Sequence, residues 1–124
     1  MRYGWLDEYC LSKKAAEKDF KVEWNATRYL IGGKMFLMQG GDKNKKAIAT
    51  MKCEPTFGQL LREKYEHIIP GYYMNKEHWN SVYLEGDVSD DILKQMIDMS
   101  YELVLNSLSK KKIQEIMEGK SEEV

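Results

Sequence analysis

Pro70-Gly71-Tyr72-Tyr73-Met74-Asn75-Lys76-Glu77-His78-Trp79-Asn80 gathers a turn, two tyrosines, a tryptophan, a histidine and two asparagines into one short span. Regular helices and strands do not need that mixture. Asn75 is placed to cap a single helical turn over Lys76-Glu77-His78. Asn80 to Leu84 then reads as a strand, with Val82 and Leu84 on one face. Gly86-Asp87 ends it.

Upstream, Pro55 suits the first position of a helix, where its missing N–H costs nothing. Phe57, Leu60, Leu61 and Tyr65 follow at helical spacing, which predicts a helix over 55–66. Four strands precede it. Phe20, Val22 and Trp24 alternate with Lys21 and Glu23 as a half-buried strand. Asn25-Ala26 forms a tight turn, and Thr27 to Ile31 is the second strand. Gly32-Gly33 supplies a turn that tolerates positive φ. Lys34 to Gln39 is the third strand, and its Met35-Phe36-Leu37-Met38 run is apolar on both faces, as in a central strand. Gly40-Gly41-Asp42-Lys43-Asn44 is a long hairpin tip before a fourth strand over 46–53. Trp5, Leu6, Tyr9 and Cys10 predict a first helix near 4–16.

Downstream, Ser89 reads as an N-cap, and Asp90 and Asp91 complement the positive end of a long helix. Leu93, Met96, Ile97, Ser100, Tyr101, Val104 and Leu108 form its apolar stripe. Lys110-Lys111-Lys112 leads into a short helix carrying Ile113, Ile116 and Met117. The order is helix, four meandering strands, helix, strand, two helices. It predicts an α+β fold, an antiparallel sheet with helices packed on one face. We expect a single domain over 1–118 and a flexible tail over 119–124.

The chain has 124 residues, enough to bury roughly two-thirds of its unfolded surface without metal or disulfide staples. No apolar run approaches the ~18 residues of a membrane span, and acids appear at once in Met1-Arg2-Tyr3-Gly4-Trp5-Leu6-Asp7-Glu8, so a cytoplasmic protein is expected. Cys10 and Cys53 lack CxxC spacing and read as buried thiols. Net charge is −1, with +4 over residues 1–54 and −5 over 55–124. The isoelectric point near 6.1 is far from the strongly basic range of a dedicated nucleic-acid binder, above about 9.

The signature stretch resembles that of the MmcQ/YjbR family, small α+β proteins often described as DNA-binding and related in fold to the bacterial frataxin (CyaY-like) group. Gly33-Lys34-Met35-Phe36, Met51-Lys52-Cys53 and Ser100-Tyr101-Glu102-Leu103-Val104 resemble further family motifs, in the family's order, within roughly residues 18–112. The resemblance implies a CyaY-like, MmcQ/YjbR-like fold. Tyr73 stands where the family usually has His, and Glu77 where it has a basic residue. Lys13-Lys14 stands near where it often shows a Pro-Gly pair.

These observations point to a non-catalytic binding module, with DNA as the partner the resemblance implies. Lys43, Lys45 and Lys46 sit on the hairpin tip like a wing and would give backbone electrostatics. Three phosphate contacts give a slope near −2.7 in log affinity against log salt, about 40-fold between 50 and 200 mM. Binding through them is therefore weak and salt-dependent. A solvated loop whose lysines protect a sheet edge is the competing account. Lys76, His78 and Asn80 would add polar contacts and Trp79 a stacking face, or the same turn is structural. Lys110-Lys111-Lys112 suits the negative end of a helix. The alternative is a protein-interaction or small-ligand module using the Tyr72/Tyr73/Trp79 surface. Asp7, Glu8, Glu17 and Asp19 test the frataxin likeness, but Lys13, Lys14 and Lys18 interrupt any acidic ridge. His67 and His78 are the two histidines, and no serine elbow, phosphate loop or ligand pair accompanies them. No catalytic residue, metal or cofactor is expected, nor a membrane partner.

Overall fold

The computed structural model describes residues 2–71 and 74–119. Its sheet has six antiparallel strands: β1 (Glu17–Lys21), β2 (Ala26–Ile31), β3 (Lys34–Gly41), β4 (Ala47–Lys52), β5 (Ile68–Pro70) and β6 (Trp79–Tyr83). Their spatial order is β1-β2-β3-β4-β6-β5. Four helices accompany them: α1 (Leu6–Leu11), α2 (Pro55–Lys64), α3 (Asp90–Asn106) and α4 (Lys110–Glu118). This is the α+β architecture that the element order predicts.

Register shows which face each element covers. Tyr29, Leu37, Met51 and Asn80 stand opposite one another along one cross-strand row. At one end of the row the Tyr29 hydroxyl donates to Asp7 of α1 at 2.7 Å, and at the other Arg62 of α2 donates to Asn80. These helices therefore share a face. α3 lies over β3 and β4 and buries Leu93, Met96, Ile97, Ser100, Tyr101, Val104 and Leu105. Each large apolar side chain withdrawn here contributes about 1.5–3 kcal/mol. The opposite face carries the row Asp19, Arg28, Met38, Thr50, Ser81 and Ile69, and no α-helix of the described residues covers it.

Several boundaries differ from the sequence reading. The first helix stops at Leu11, because the Ser12 hydroxyl turns back to the Tyr9 carbonyl at 2.6 Å and Ala15 adopts φ +60°. Phe20, Val22 and Trp24 do not form a half-buried strand. β1 ends at Lys21, Val22–Trp24 is a 3-10 turn, and all three apolar side chains are exposed. β1 is an edge strand, and alternation there has no covering layer to meet. Asn25 closes the turn at φ +50°, a left-handed value that asparagine tolerates. The short β5 has no counterpart in the sequence reading. Gly32 and Gly33 take φ +57° and +82° between β2 and β3, as their turn requires. Gly119 ends α4, and residues 120–124 of the expected tail lie outside the described residues.

Within β3, Leu37 faces Tyr29 but Met35 faces Leu30, so Phe36 is an extra residue in the ladder. Such a bulge bends the strand and strengthens its twist. Phe36 is fully buried and meets Tyr101 edge-on, with ring centroids 5.4 Å apart.

Candidate functional site

The hairpin between β3 and β4 is built on Asp42. Its Oδ1 accepts the backbone N–H groups of Asn44 at 2.8 Å and Lys46 at 2.9 Å. Its Oδ2 accepts the Tyr83 hydroxyl at 3.1 Å. The Lys46 amide first of all, with that of Asn44 and the Tyr83 hydroxyl, holds the carboxyl below its ordinary range. Lys45 takes φ +65° to complete the turn. Lys43, Lys45 and Lys46 are all exposed on this fixed tip. Lys45 and Lys46 also line an open groove of about 710 Å³ shared with Glu66, His67, Tyr83 and Glu85. His67 Nδ1 lies 2.9 Å from Asp87 Oδ1 beside it.

Within the signature stretch, residues 75–79 form a capped turn, as Asn75 predicts. Asn75 Oδ1 accepts the Glu77 N–H at 2.9 Å, and its carbonyl accepts the Trp79 N–H at 2.9 Å. The His78 carbonyl accepts the Cys53 N–H at 2.7 Å, so the turn is tied to the end of β4. Lys76 is exposed, and its ammonium reaches the Gly71 carbonyl at 3.3 Å. His78 Nε2 lies 3.6 Å from Glu77 Oε1. Trp79 is half-buried opposite Lys52 on the face without helices. Tyr72 and Tyr73 lie outside the described residues, so of that aromatic surface Trp79 is the member placed here.

Asn80 requires a correction. It is fully buried beneath α2, where Arg62 Nη1 donates to its Oδ1 at 2.5 Å. A ligand on the surface cannot reach it. The remaining residues are set apart in space. Trp79 opens β6 opposite Lys52, directly after His78, whereas the lysine tip is fastened to Tyr83 at the other end of that strand. Four residues of strand set them about 13 Å apart. The sequence-predicted residues thus form two separate groups.

Sequence reasoning missed a third place. On the face without helices, a cavity of about 370 Å³ is lined among the described residues by Glu23, Trp24, Ala26, Met38, Gly40, Gly41, Ile48 and Met74. Met74 belongs to the signature stretch and reaches this cavity from 50 residues beyond Trp24 in the chain. No local pattern announces that meeting.

Both cysteines are free and buried, and burial pushes the Cys10 thiol up to about 12 and that of Cys53 up to about 11. Two of the acids near α1, Asp7 and Asp19, are engaged elsewhere. Lys18 approaches Asp7 at 2.7 Å and Arg28 approaches Asp19 at 2.5 Å. These partners, Lys18 and then Tyr29 for Asp7 and chiefly Arg28 for Asp19, hold both carboxyls low. Among the described residues no helix is long and apolar enough to cross a membrane.

The family model YjbR matches residues 11–103. The uncharacterised protein YjbR of Escherichia coli (strain K12) is 32% identical over 107 residues, which span 86% of this chain and 90% of that protein. The uncharacterised protein YbdF of Escherichia coli O157:H7 is 34% identical over 91 residues, 73% of this chain and 74% of its own. Among solved structures, the Deinococcus radiodurans protein DR2400, with a DUF419 domain, superposes with a TM-score of 0.79 at 25% identity, covering 90% of this chain and 84% of its own. A Pseudomonas syringae protein superposes with a TM-score of 0.72 at 23% identity, covering 84% of this chain and 99% of its own, a likeness of fold.

Proposed function

This chain belongs to the YjbR family, and we propose that it is a cytoplasmic, non-catalytic binding module whose hairpin tip contacts the nucleic-acid backbone, DNA in particular. The observation that carries this reading is the Asp42-built turn, which holds Lys43, Lys45 and Lys46 exposed on one rigid tip. A preorganised tip loses little further entropy on binding. Nearby acids temper the affinity, since Glu66 and Glu85 line the groove that Lys45 and Lys46 enter. Contact is therefore weak, without base reading, and governed by salt. Lys76, His78 and Trp79 form a second contact region at the other end of β6.

An amide NMR titration with short duplex and single-stranded DNA tests this at about 50 and 200 mM salt, where three contacts predict about a 40-fold loss for duplex. Shifts should concentrate on residues 43–46, and the triple change to Glu at Lys43, Lys45 and Lys46 should abolish them. No shift at low salt with millimolar DNA removes the reading. The second reading, a protein- or small-ligand-binding module without nucleic acid, is favoured by Trp79, which is half-buried beside Lys52. Under it the triple variant keeps its partner.

A further inference from the structure

The cavity at Trp24 is hollowed into the sheet by register. Lys21, Ala26, Gly40, Ile48 and Tyr83 follow one another across five strands. Ala26 and Gly40 are the two small members, and a Cβ on Gly40 would stand 3.3 Å from that of Ala26. Strand interiors favour bulky side chains, and a glycine there marks a bulge or a close approach by another group. Met38 and Met74 supply adaptable thioether walls. The volume of about 370 Å³ lies within the range of small-ligand sites.

Trp24 is the platform. It is 51% exposed, and its turn is closed by the Asn25 N–H donating to the Val22 carbonyl at 3.1 Å. Lys21 Nζ and the Arg28 guanidinium already lie 5.5 and 5.9 Å from the indole centroid. A cationic ligand would be repelled by both. Glu23 is the one ionisable side chain lining the cavity among the described residues, and it disfavours an anion. Lys21 and Arg28 balance Asp19 and Glu23 in charge, so the surroundings suit a neutral guest. A carboxylate beside an aromatic platform selects rings that donate from an amino group.

We propose that this cavity binds a neutral, planar heteroaromatic ring bearing an amino group, of the adenine or cytosine type, stacked on Trp24 with its amino hydrogens accepted by Glu23. The site does not depend on the hairpin lysines. Its guest is either a free nucleoside or a base within a single strand.

The test follows the Trp24 indole N–H, assigned by Trp24→Ala, and the Met38 and Met74 methyl signals of the full chain. Adenosine should move all three, with about tenfold tighter binding than purine riboside, which lacks the amino group. Glu23→Gln should remove that preference, and Trp24→Ala should abolish binding while the core methyl signals stay in place. Equal affinity for the two nucleosides, unchanged binding by Trp24→Ala, or no movement at millimolar adenosine or cytidine overturns the proposal. An adenine-rich single strand separates the sources. A strand that binds more than about tenfold tighter than adenosine, and falls back to adenosine's affinity when Lys43, Lys45 and Lys46 become Glu, identifies the strand as guest, and binding within about tenfold of adenosine identifies the free nucleoside. If that strand shifts residues 43–46 and leaves Trp24 unmoved, this proposal fails while the lysine reading survives.

Discussion

The Ser100 hydroxyl of α3 donates to the Phe36 carbonyl of β3 at 2.5 Å. The same oxygen accepts the Lys52 N–H of β4 at 2.8 Å. Pairing of β3 with β4 begins at Leu37 and Met51, one step short of Phe36 and Lys52. A helix side chain therefore closes the rung that the bulge leaves open. Ser100→Ala should cost about 1–3 kcal/mol, because it orphans a buried acceptor and a partly buried donor. Urea denaturation checks this, and an unchanged midpoint would show that the rung is closed by other means.

Gly58 occupies α2 directly above Asn80. A Cβ there would lie 2.7 Å from Asn80 Nδ2 and 3.3 Å from Arg62 Nη1. Gly→Ala within a helix normally stabilises by roughly 1 kcal/mol. Here the crowding reverses the sign, and Gly58→Ala should destabilise by about 1–3 kcal/mol. Combining it with Asn80→Ala should recover part of that loss, and a double-mutant cycle measures the coupling.

Four aspartates govern the acid limb of stability. Lys18 holds Asp7 low, Arg28 holds Asp19 low, the Lys46 amide holds Asp42 low and His67 holds Asp87 low. Their unfolded value is 3.8, above each folded one. Between the two, the unfolded chain binds more protons, so stability falls as pH falls. The contribution is complete above about pH 5 and drains away as pH drops below the unfolded value. Thermal midpoints should hold level between about pH 6 and 5 and then fall steadily towards about pH 2.5. Asp42→Asn, unable to ionise, should flatten part of that slope.

Native cysteines should resist alkylation. Raising Cys10 from 9.0 to about 12 cuts its thiolate fraction at neutral pH about a thousandfold, and raising Cys53 to about 11 cuts it about a hundredfold. Mass spectrometry after brief iodoacetamide treatment should find neither thiol modified in buffer and both in denaturant. Rapid native labelling at either position would contradict the burial.

Much of this fold is legible along the chain because its signals are local. Met35 to Met38 announces a central strand, Pro55 starts α2, and Ser89 caps α3 by accepting the Ile92 N–H at 3.3 Å. β5 escapes because three residues ending in Pro70 carry no period. Val22 and Trp24 mislead because alternation looks the same whether or not a layer covers it. Asn80 reads as a surface residue until Arg62 is folded over it. The three lysines were legible as a tip, but the Tyr83 hydroxyl that steadies Asp42 comes from 41 residues away.

β1 has one neighbour in the sheet, so the hydrogen-bonding groups on its outer side face away from the protein. Phe20 stands on that strand, 56% exposed. An adding strand from another molecule would have to dehydrate Glu17, Lys18, Asp19 and Lys21 in the same step. Alternating charge thus acts as a colloidal safeguard, keeping an open edge from becoming a seed. Erasing it at Lys18 and Asp19 would leave the core untouched and shorten the time for which concentrated solutions stay clear.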